Sequence, residues 1–404
     1  MLIGRENCDK LKDSELPNVL KGGSVQNLLN QWLQPRIEAL GLEIGAANLK
    51  LVEISGSPPT LRSYAIRPTP FGAISGGNIA EPSVIATELR EMLAEMQTRK
   101  RYVVAGVSNL AVITRIIQVP KMGERELEEA IHWEAERYIP FPIDEVVLDY
   151  APLDPPSEVP DDSQLDVVIA AARLETITQL VETLKEAQLE PVVLDVKPFA
   201  GMRTIDSYLT GGELDSETVT VFLEIGAESS SLVLTRGSRL LMHRNLNISG
   251  NDFTEAIAKS FGLDFTSAEE VKRDYGLATI PTEDEESLLN FDAERERFNP
   301  ARMYDAIRPV LVDATTELRR SLEFFRVQIG DIHIDKGYIT GGGSKLRGLP
   351  GIFGETLGLQ LNSVNPWDAL QIGEPQFDMS DLHRLAPEFV VPVGLGLRGV
   401  NPLD

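Results

Sequence analysis

The sequence predicts an α/β protein built from two similar halves, on three observations. The pentapeptide Leu42-Glu43-Ile44-Gly45-Ala46 recurs as Leu223-Glu224-Ile225-Gly226-Ala227, 181 residues further on (43 to 224). Apolar strand patterns bounded by glycine and proline alternate along the chain with amphipathic helical ones. The length of 404 residues exceeds what one hydrophobic core organises, so about two to four units are expected. A repeat this far apart is not a solenoid, whose period runs at roughly 20–50 residues. It points to two related domains facing one another.

The elements follow in order. Residues 1–36 read as a prelude with a short helix over 25–33, stopped before Pro35. Order sets in with the first Leu-Glu-Ile-Gly, where a strand, a glycine turn and a return strand over 49–54 form a hairpin. Residues 81–97 are helical, with Val84, Ile85, Leu89, Met92 and Leu93 on one face. Strands are expected over 101–106 and 111–119, the second stopped by Pro120. A strongly amphipathic helix covers 124–139: Leu127, Ile131, Ala135, Tyr138 and Ile139 fall at the expected apolar spacing, and Glu124, Glu128, Glu129 and Glu136 fill the other face. After the Pro- and Asp-rich loop 154–163 come a buried strand (164–171), a helix (174–187) and a strand (192–196). The second hairpin spans 218–235, followed by helices over 249–261 and 267–275 and an acidic segment over 283–297. A long helix over 304–329 carries Pro309 in its first turns, where proline does least damage. A strand over 337–340 ends in Gly341-Gly342-Gly343-Ser344.

Charge and cysteine usage exclude several classes. The chain has 38 basic and 62 acidic side chains, a net charge of −24. Nucleic acid and anionic bilayers both need a clustered cationic face, so neither is an expected partner. A small anion stays open, because backbone N–H groups can hold one. The single cysteine, Cys8, forms no disulfide framework, and His132, His243, His333 and His383 are too scattered for a catalytic zinc. No apolar run approaches the roughly 18 residues that span a bilayer, and the first residues show no signal-peptide core. A soluble protein of a reducing compartment is expected.

The repeated turns suggest chemistry. Glycine lets the backbone approach a ligand, and successive N–H groups in a tight turn form an anion nest. Two such turns from opposed domains clamp a polyphosphate. Glu43 and Glu224, one at each strand end, suit a hydrated Mg²⁺, and Lys50 on the return strand reaches toward a phosphate. Read singly, either copy is equally a hairpin with a convenient glycine. The third motif, Ile339-Thr340-Gly341-Gly342-Gly343-Ser344-Lys345-Leu346, is a strand, a triple glycine and a helix start. It is neither a P-loop nor G-x-G-x-x-G, and alone it is equally a structural loop.

In this order the motifs resemble the two phosphate motifs and the adenosine motif of the actin-like/Hsp70 ATPase fold. Ile117-Gln118-Val119-Pro120, the run from Ala130 to Pro142, Asn251-Asp252-Phe253-Thr254, the segment from Ala268 to Arg273 and Val364-Asn365-Pro366-Trp367 narrow the resemblance to the PilM family, actin-like proteins of type IV pilus assembly. The resemblance covers about residues 37–404. It implies two duplicated domains with ATP in the cleft between them and an FtsA-type 1C insertion. Subdomain 1A then takes 37–112 with 193–212 and 375–404, 1C takes 113–192, 2A takes 213–245 with 313–374, and 2B takes 246–312; residues 1–36 form an N-terminal arm.

The resemblance also assigns roles. ATP contacts fall on Gly45, Ala46, Ala47, Asn48 and Lys50, on Gly226, Ala227, Glu228 and Ser229, on Gly341, Gly342, Gly343, Ser344 and Lys345, and on Glu269, Lys272 and Arg273. Mg²⁺ falls to Glu43 and Glu224. The implied partner is the N-terminal cytoplasmic peptide of the membrane protein PilN, held between 1A and 1C by Ile113, Arg115, Ile117, Val119 and Tyr138. Beyond it lie the PilN/PilO inner-membrane complex and the pilus motor, with self-association open. The implied location is cytoplasmic, peripheral to the inner membrane through protein partners. Trp133, Tyr138 and Phe141 read first as core. Two departures from the superfamily pattern, Glu for Asp at both strand ends and Ala46-Ala47 where a hydroxyl is common, imply secure ATP binding with slow or absent turnover. Rival readings are an FtsA-like filament protein, a small-molecule kinase of the same superfamily, and a scaffold with an empty cleft. For the first, 390–404 offers no basic amphipathic helix; for the second, no spacing singles out Asp144, Asp166 or Asp195 as a catalytic carboxylate.

Overall fold

The computed structural model describes residues 38–160, 163–209, 216–279, 297–330, 332–373 and 377–400, without the side chains of Glu124 and Leu209. The N-terminal arm with Cys8 and the helix expected at 25–33, and nearly all of the acidic segment, lie outside these residues. The chain divides into two units, Met1–Leu214 with Asn365–Asp404, and Asp215–Val364.

The strands of the first unit are β1 (Leu40–Ile44), β2 (Asn48–Ser55), β3 (Thr60–Pro68), β4 (Ile74–Ser75), β5 (Asn78–Ile79), β6 (Tyr102–Val107), β7 (Val112–Pro120), β8 (Val146–Pro152), β9 (Gln164–Arg173) and β10 (Glu190–Val196). Those of the second unit are β11 (Val219–Ile225), β12 (Ser230–Arg236), β13 (Arg239–Leu246), β14 (Lys336–Thr340) and β15 (Leu361–Ser363); β16 (Gln371–Ile372) returns to the first. The helices are α1 (Pro82–Glu95), α2 (Glu124–Ala135), α3 (Leu174–Glu186), α4 (Lys197–Leu209), α5 (Gly250–Phe261), α6 (Phe265–Tyr275), α7 (Pro300–Ile329), α8 (Leu349–Leu357) and α9 (Met379–Val400).

The main sheet of the first unit runs β10-β6-β1-β2-β3-β16. Helices cover both of its faces, so β1 is buried at every position, as a doubly covered strand should be. On one side Ile85, Leu89 and Met92 of α1 and Ile177 and Leu184 of α3 share a core with Leu42, Leu49 and Leu51. On the other, α9 packs Phe389 and Val393 with Val52, Ile54 and Trp367, and Leu395 packs with Ala200 of α4. Trp367 donates its indole N–H to the Leu382 carbonyl at 2.7 Å. The resemblance assigned 313–374 to the second half; the pairing of β16 with β3 and the burial of Trp367 place 365–372 in the first.

A separate antiparallel sheet, β7-β9-β8, packs on α2 through Ile117, Val119, Leu127, Ile131, Ala135, Val167 and Ile169. This is the inserted layer. Its own core ends with β9, because α3 contributes to the main core of the unit; the insertion read as 113–192 is therefore shorter in packing terms.

The second unit has the sheet β13-β12-β11-β14-β15. One core joins it to α5–α8 through Leu223, Ile225, Phe253, Ile307, Leu318, Ile339 and Phe353. Helix α7 starts earlier than the periodicity suggested: Asn299 caps it by accepting the Arg302 N–H at 2.9 Å, and Pro309 lies well inside. Helix α9 is the larger surprise. It runs unbroken through Pro387 and Pro392 and is buried along most of its length, where local propensity alone argued for irregular chain. Among the described residues no helix is long and apolar enough to cross a membrane.

Candidate functional site

The two copies of the repeat fold alike. In the first unit Gly45 N–H donates to the Asn48 carbonyl at 3.1 Å; in the second Gly226 N–H donates to the Ser229 carbonyl at 2.9 Å. A Cβ on Gly45 would stand 2.7 Å from the Asn48 carbonyl oxygen, and one on Gly226 2.6 Å from that of Ser229. The tightness of the turn itself thus demands the glycine in both places. Registers match as well, Ile44 opposite Leu49 and Ile225 opposite Ser230.

In the first turn Gly45, Ala46, Ala47 and Asn48 are at least partly accessible. Asn48 is held from behind, its side-chain amide donating to Glu388 of α9 at 3.0 Å. Glu43 and Lys50 are register partners, buried together, with Lys50 Nζ 3.0 Å from Glu43 Oε2. The other carboxylate oxygen of Glu43 lies 3.5 Å from Lys197 Nζ, which also donates to the Ile44 carbonyl at 2.8 Å. Burial pushes the Glu43 carboxyl up, but Lys50 and then Lys197 outweigh it and hold the pKa below the ordinary 4.5. Glu43 is thus an anion already matched by two ammonium groups, and Lys50 spends its charge there rather than standing apart for a phosphate. Sequence reading missed Lys197; the available signal was a lysine placed directly after the largely apolar strand β10.

This triad makes a pH-dependent contribution to stability. Because the folded pKa of Glu43 lies below the unfolded one, its pairing stabilises fully above about 4.5 and fades as pH falls through the folded value. Lys50→Met is expected to cost about 3 kcal/mol at pH 7, the usual penalty for breaking a buried pair. The gap to wild type should narrow toward pH 4, as urea unfolding at the two pH values can show.

In the second unit several predicted residues converge on one place. Gly226 and Ala227 accept, through their carbonyls, the N–H groups of Gly250 (2.8 Å) and Asn251 (2.9 Å) at the start of α5. A capping box, with Asp252 accepting from Ser249 N (2.7 Å) and Ser249 Oγ (2.8 Å), fixes that start. Lys272 of α6 donates to the Gly250 carbonyl at 2.9 Å and pairs with Glu269 at 2.6 Å; Thr254 Oγ1 donates to Glu269 at 2.6 Å. Burial lowers the Lys272 pKa, with the Glu269 charge opposing it incompletely; burial also raises Glu269, but Lys272 overcomes it and leaves that carboxyl below 4.5. Arg273 is exposed and reaches Glu269 at 3.1 Å.

The triple glycine lies against the same turn. Gly341 has φ 85° and ψ 163°, a conformation open essentially to glycine alone. A Cβ there would sit 2.3 Å from the Ile225 carbonyl oxygen, and one on Gly343 2.3 Å from Ile225 Cγ2. Ser344 closes the loop, its hydroxyl donating to the Gly341 carbonyl at 2.7 Å. Gly342 and Lys345 are exposed, while Glu224 is buried and paired in register with Thr340. The second and third motifs, far apart in sequence, therefore meet at the end of β11.

Each turn, taken by itself, presents backbone amides that suit an anion such as a phosphate, and in the second unit a helix start and the half-buried Lys272 ammonium stand beside the turn. These residues do not by themselves suit a metal. Glu43 is already neutralised, and no group of three or more metal-ligating side chains is found among the described residues.

The predicted peptide groove is partly rearranged. Strand β7 is an edge strand, paired with β9 on one side only among the described residues. Arg115 is exposed and Ile113 half-buried, but Ile117 and Val119 are 2% and 3% exposed and point into the small core against α2. The two-residue period puts all four side chains on one face of the strand, and the core against α2 takes up that face at Ile117 and Val119. Tyr138 is 42% and Trp133 74% exposed, so neither is core as first read. Phe141 is half-buried beneath the Arg173 guanidinium, 3.9 Å above the ring.

Comparison with known proteins gives a consistent result. The family described as type IV pilus assembly protein PilM matches residues 41–295, and that of cell division protein FtsA matches 221–394. Among solved structures, a chain of the PilM-PilN type IV pilus biogenesis complex is 54% identical, with 91% of this chain and 100% of that one covered and a TM-score of 0.81. The ethanolamine utilization protein EutJ from Carboxydothermus hydrogenoformans is 15% identical over 89% of each chain, with a TM-score of 0.50; that likeness concerns the fold alone. The expected actin-like fold is thereby established.

Proposed function

The chain belongs to the family of the type IV pilus assembly protein PilM, and we propose that it is the ATP-binding protein of a pilus assembly platform that captures the N-terminal cytoplasmic tail of the membrane protein PilN. The observation that carries this reading is the 54% identity, over 91% of the chain, to a protein solved as a PilM-PilN complex. Edge strand β7 supports the placement of the tail, since an extended peptide can add to it as a further strand. Ile113, Arg115 and Tyr138 are the candidate contacts; Ile117 and Val119, further along the same face of β7, are taken up by the core against α2 and hold the strand in place. The glutamates of α2 favour a tail with basic residues. Through PilN and PilO the chain is held at the cytoplasmic side of the inner membrane and linked to the pilus motor.

ATP serves in this reading as a conformational clamp gripped by the turns at 45–48 and 226–229 and by the triple glycine. Mg²⁺ would come with the phosphates, since no group of three or more metal-ligating side chains is found among the described residues. Glu43, tied to two lysines, is poorly placed to activate water, which favours slow turnover.

A synthetic PilN tail peptide titrated by fluorescence anisotropy tests the partner. Ile113→Asp is expected to weaken binding about tenfold or more, the effect of a lost apolar contact and a buried charge. Ile117→Ala should instead lower stability by about 2–5 kcal/mol, as core truncations do. Tight binding by Ile113→Asp equal to wild type would remove β7 from the interface.

A further inference from the structure

The two turns have the same shape but are held by different chemistry. In the second unit the Gly226 carbonyl is fixed by a backbone donor, Gly250 N–H of α5 at 2.8 Å. The equivalent carbonyl in the first unit, that of Gly45, is fixed by a side chain: Thr69 Oγ1 donates to it at 2.6 Å. Thr69 adds a second bond, its own N–H donating to the Ala47 carbonyl at 2.9 Å. One residue thus holds two of the turn's carbonyls.

Peptide geometry turns this into a statement about the turn's donors. A trans peptide is planar, with C=O and N–H on opposite sides. Anchoring the Gly45 carbonyl on Thr69 therefore aims the Ala46 N–H away from Thr69. In the same way, anchoring the Gly226 carbonyl on α5 aims the Ala227 N–H away from that helix. Thr69 is itself restrained. It directly follows β3 and precedes Pro70, which keeps its backbone extended and lowers the entropy cost of holding the hydroxyl in place.

We infer that Thr69 is a positioning residue for polyphosphate binding: its hydroxyl presets the Ala46 amide, as the start of α5 presets the Ala227 amide in the other unit. This rests on the reading of both turns as the ATP site. It singles out the first turn as the one whose donor orientation depends on a single hydroxyl.

The test is a fluorescent-ATP titration of the full chain, with ATP and adenosine as competitors, on wild type, Thr69→Val and Thr69→Ser. Valine keeps the shape and the backbone N–H but loses the hydroxyl. One neutral hydrogen bond corresponds to roughly a 3- to 10-fold loss of ATP affinity. Adenosine affinity should not change, the nucleotide-free melting temperature should fall by no more than the few degrees that one lost hydrogen bond costs, and Thr69→Ser should stay within about twofold of wild type. Equal ATP affinity in Thr69→Val, parallel loss of ATP and adenosine, or failure of serine to rescue would each overturn the inference while leaving the ATP site standing. Absence of saturable ATP binding by wild type would overturn both.

Discussion

Gly394→Val is expected to lower the melting temperature of the first unit more than any other substitution considered. A Cβ on Gly394 would stand 1.8 Å from the Ala200 carbonyl oxygen and 2.8 Å from Thr204 Oγ1, so α9 and α4 touch backbone to backbone at this point. Two hydrogen bonds hold the same seam: Arg203 Nη1 donates to the Gly394 carbonyl at 2.9 Å and Thr204 Oγ1 to that of Val390 at 2.7 Å. The other face of α9 is as close. A Cβ on Gly41 of β1 would meet Gly396 N at 2.4 Å, and one on Gly399 the Ala39 carbonyl oxygen at 2.7 Å. Helix α9 thus has little room to step back from α4, because β1 stands behind it. Overpacking usually costs about 1–3 kcal/mol and more where the backbone cannot yield. At least about 3 kcal/mol is expected here, or roughly 6–12 °C for a unit of this size. Gly351→Ala is the control: its Cβ meets nothing within 4 Å in α8, and alanine there should be neutral or slightly stabilising. Calorimetry showing Gly394→Val within about 2 °C of wild type would refute the close approach.

Gly341→Ala should have the largest effect on nucleotide affinity. Two costs add. The residue holds φ 85° with ψ 163°, which strains any side chain by about 1–3 kcal/mol. The new methyl would also lie 2.3 Å from the Ile225 carbonyl oxygen, the residue just before the second turn. Relief requires the loop to lift, and the lift moves Gly343 and Ser344 with it, since Ser344 hangs from the Gly341 carbonyl. A rise in the dissociation constant for ATP of at least about tenfold is expected from a displacement of this kind. An affinity within about twofold of wild type would show that the loop does not contribute to ATP binding.

The elements legible in the sequence were those with a strong period or a strong stop. Helix α2 showed its Leu127, Ile131 and Ala135 stripe, α7 its long apolar line, and both hairpins their glycine turns. Strands β3, β8 and β13 escaped, because they mix polar and apolar positions without clean alternation: Arg62, Ser63 and Tyr64 lie inside β3. Helix α9 escaped because two prolines and three glycines argue against a helix locally. Burial against β1, β2 and α4 overrides that preference, and the glycines that weaken the helix in isolation are what let it approach.

The site divides along the same line. Glycine-bearing turns are local objects, dictated by a few adjacent residues, so the sequence by itself determined that there are two of them, that they match, and that a third glycine loop follows. Which groups surround them is set by contacts across tens to hundreds of residues, and only the tertiary structure decided that. It joined Lys197 to Glu43, brought the triple glycine onto Ile225, turned Ile117 and Val119 inward, and put Thr69 on the Gly45 carbonyl. The physical reason is range. A turn is specified by the torsions of four neighbouring residues, whereas the partner of a buried carboxylate or carbonyl is whichever donor the packing of sheet and helices delivers to it.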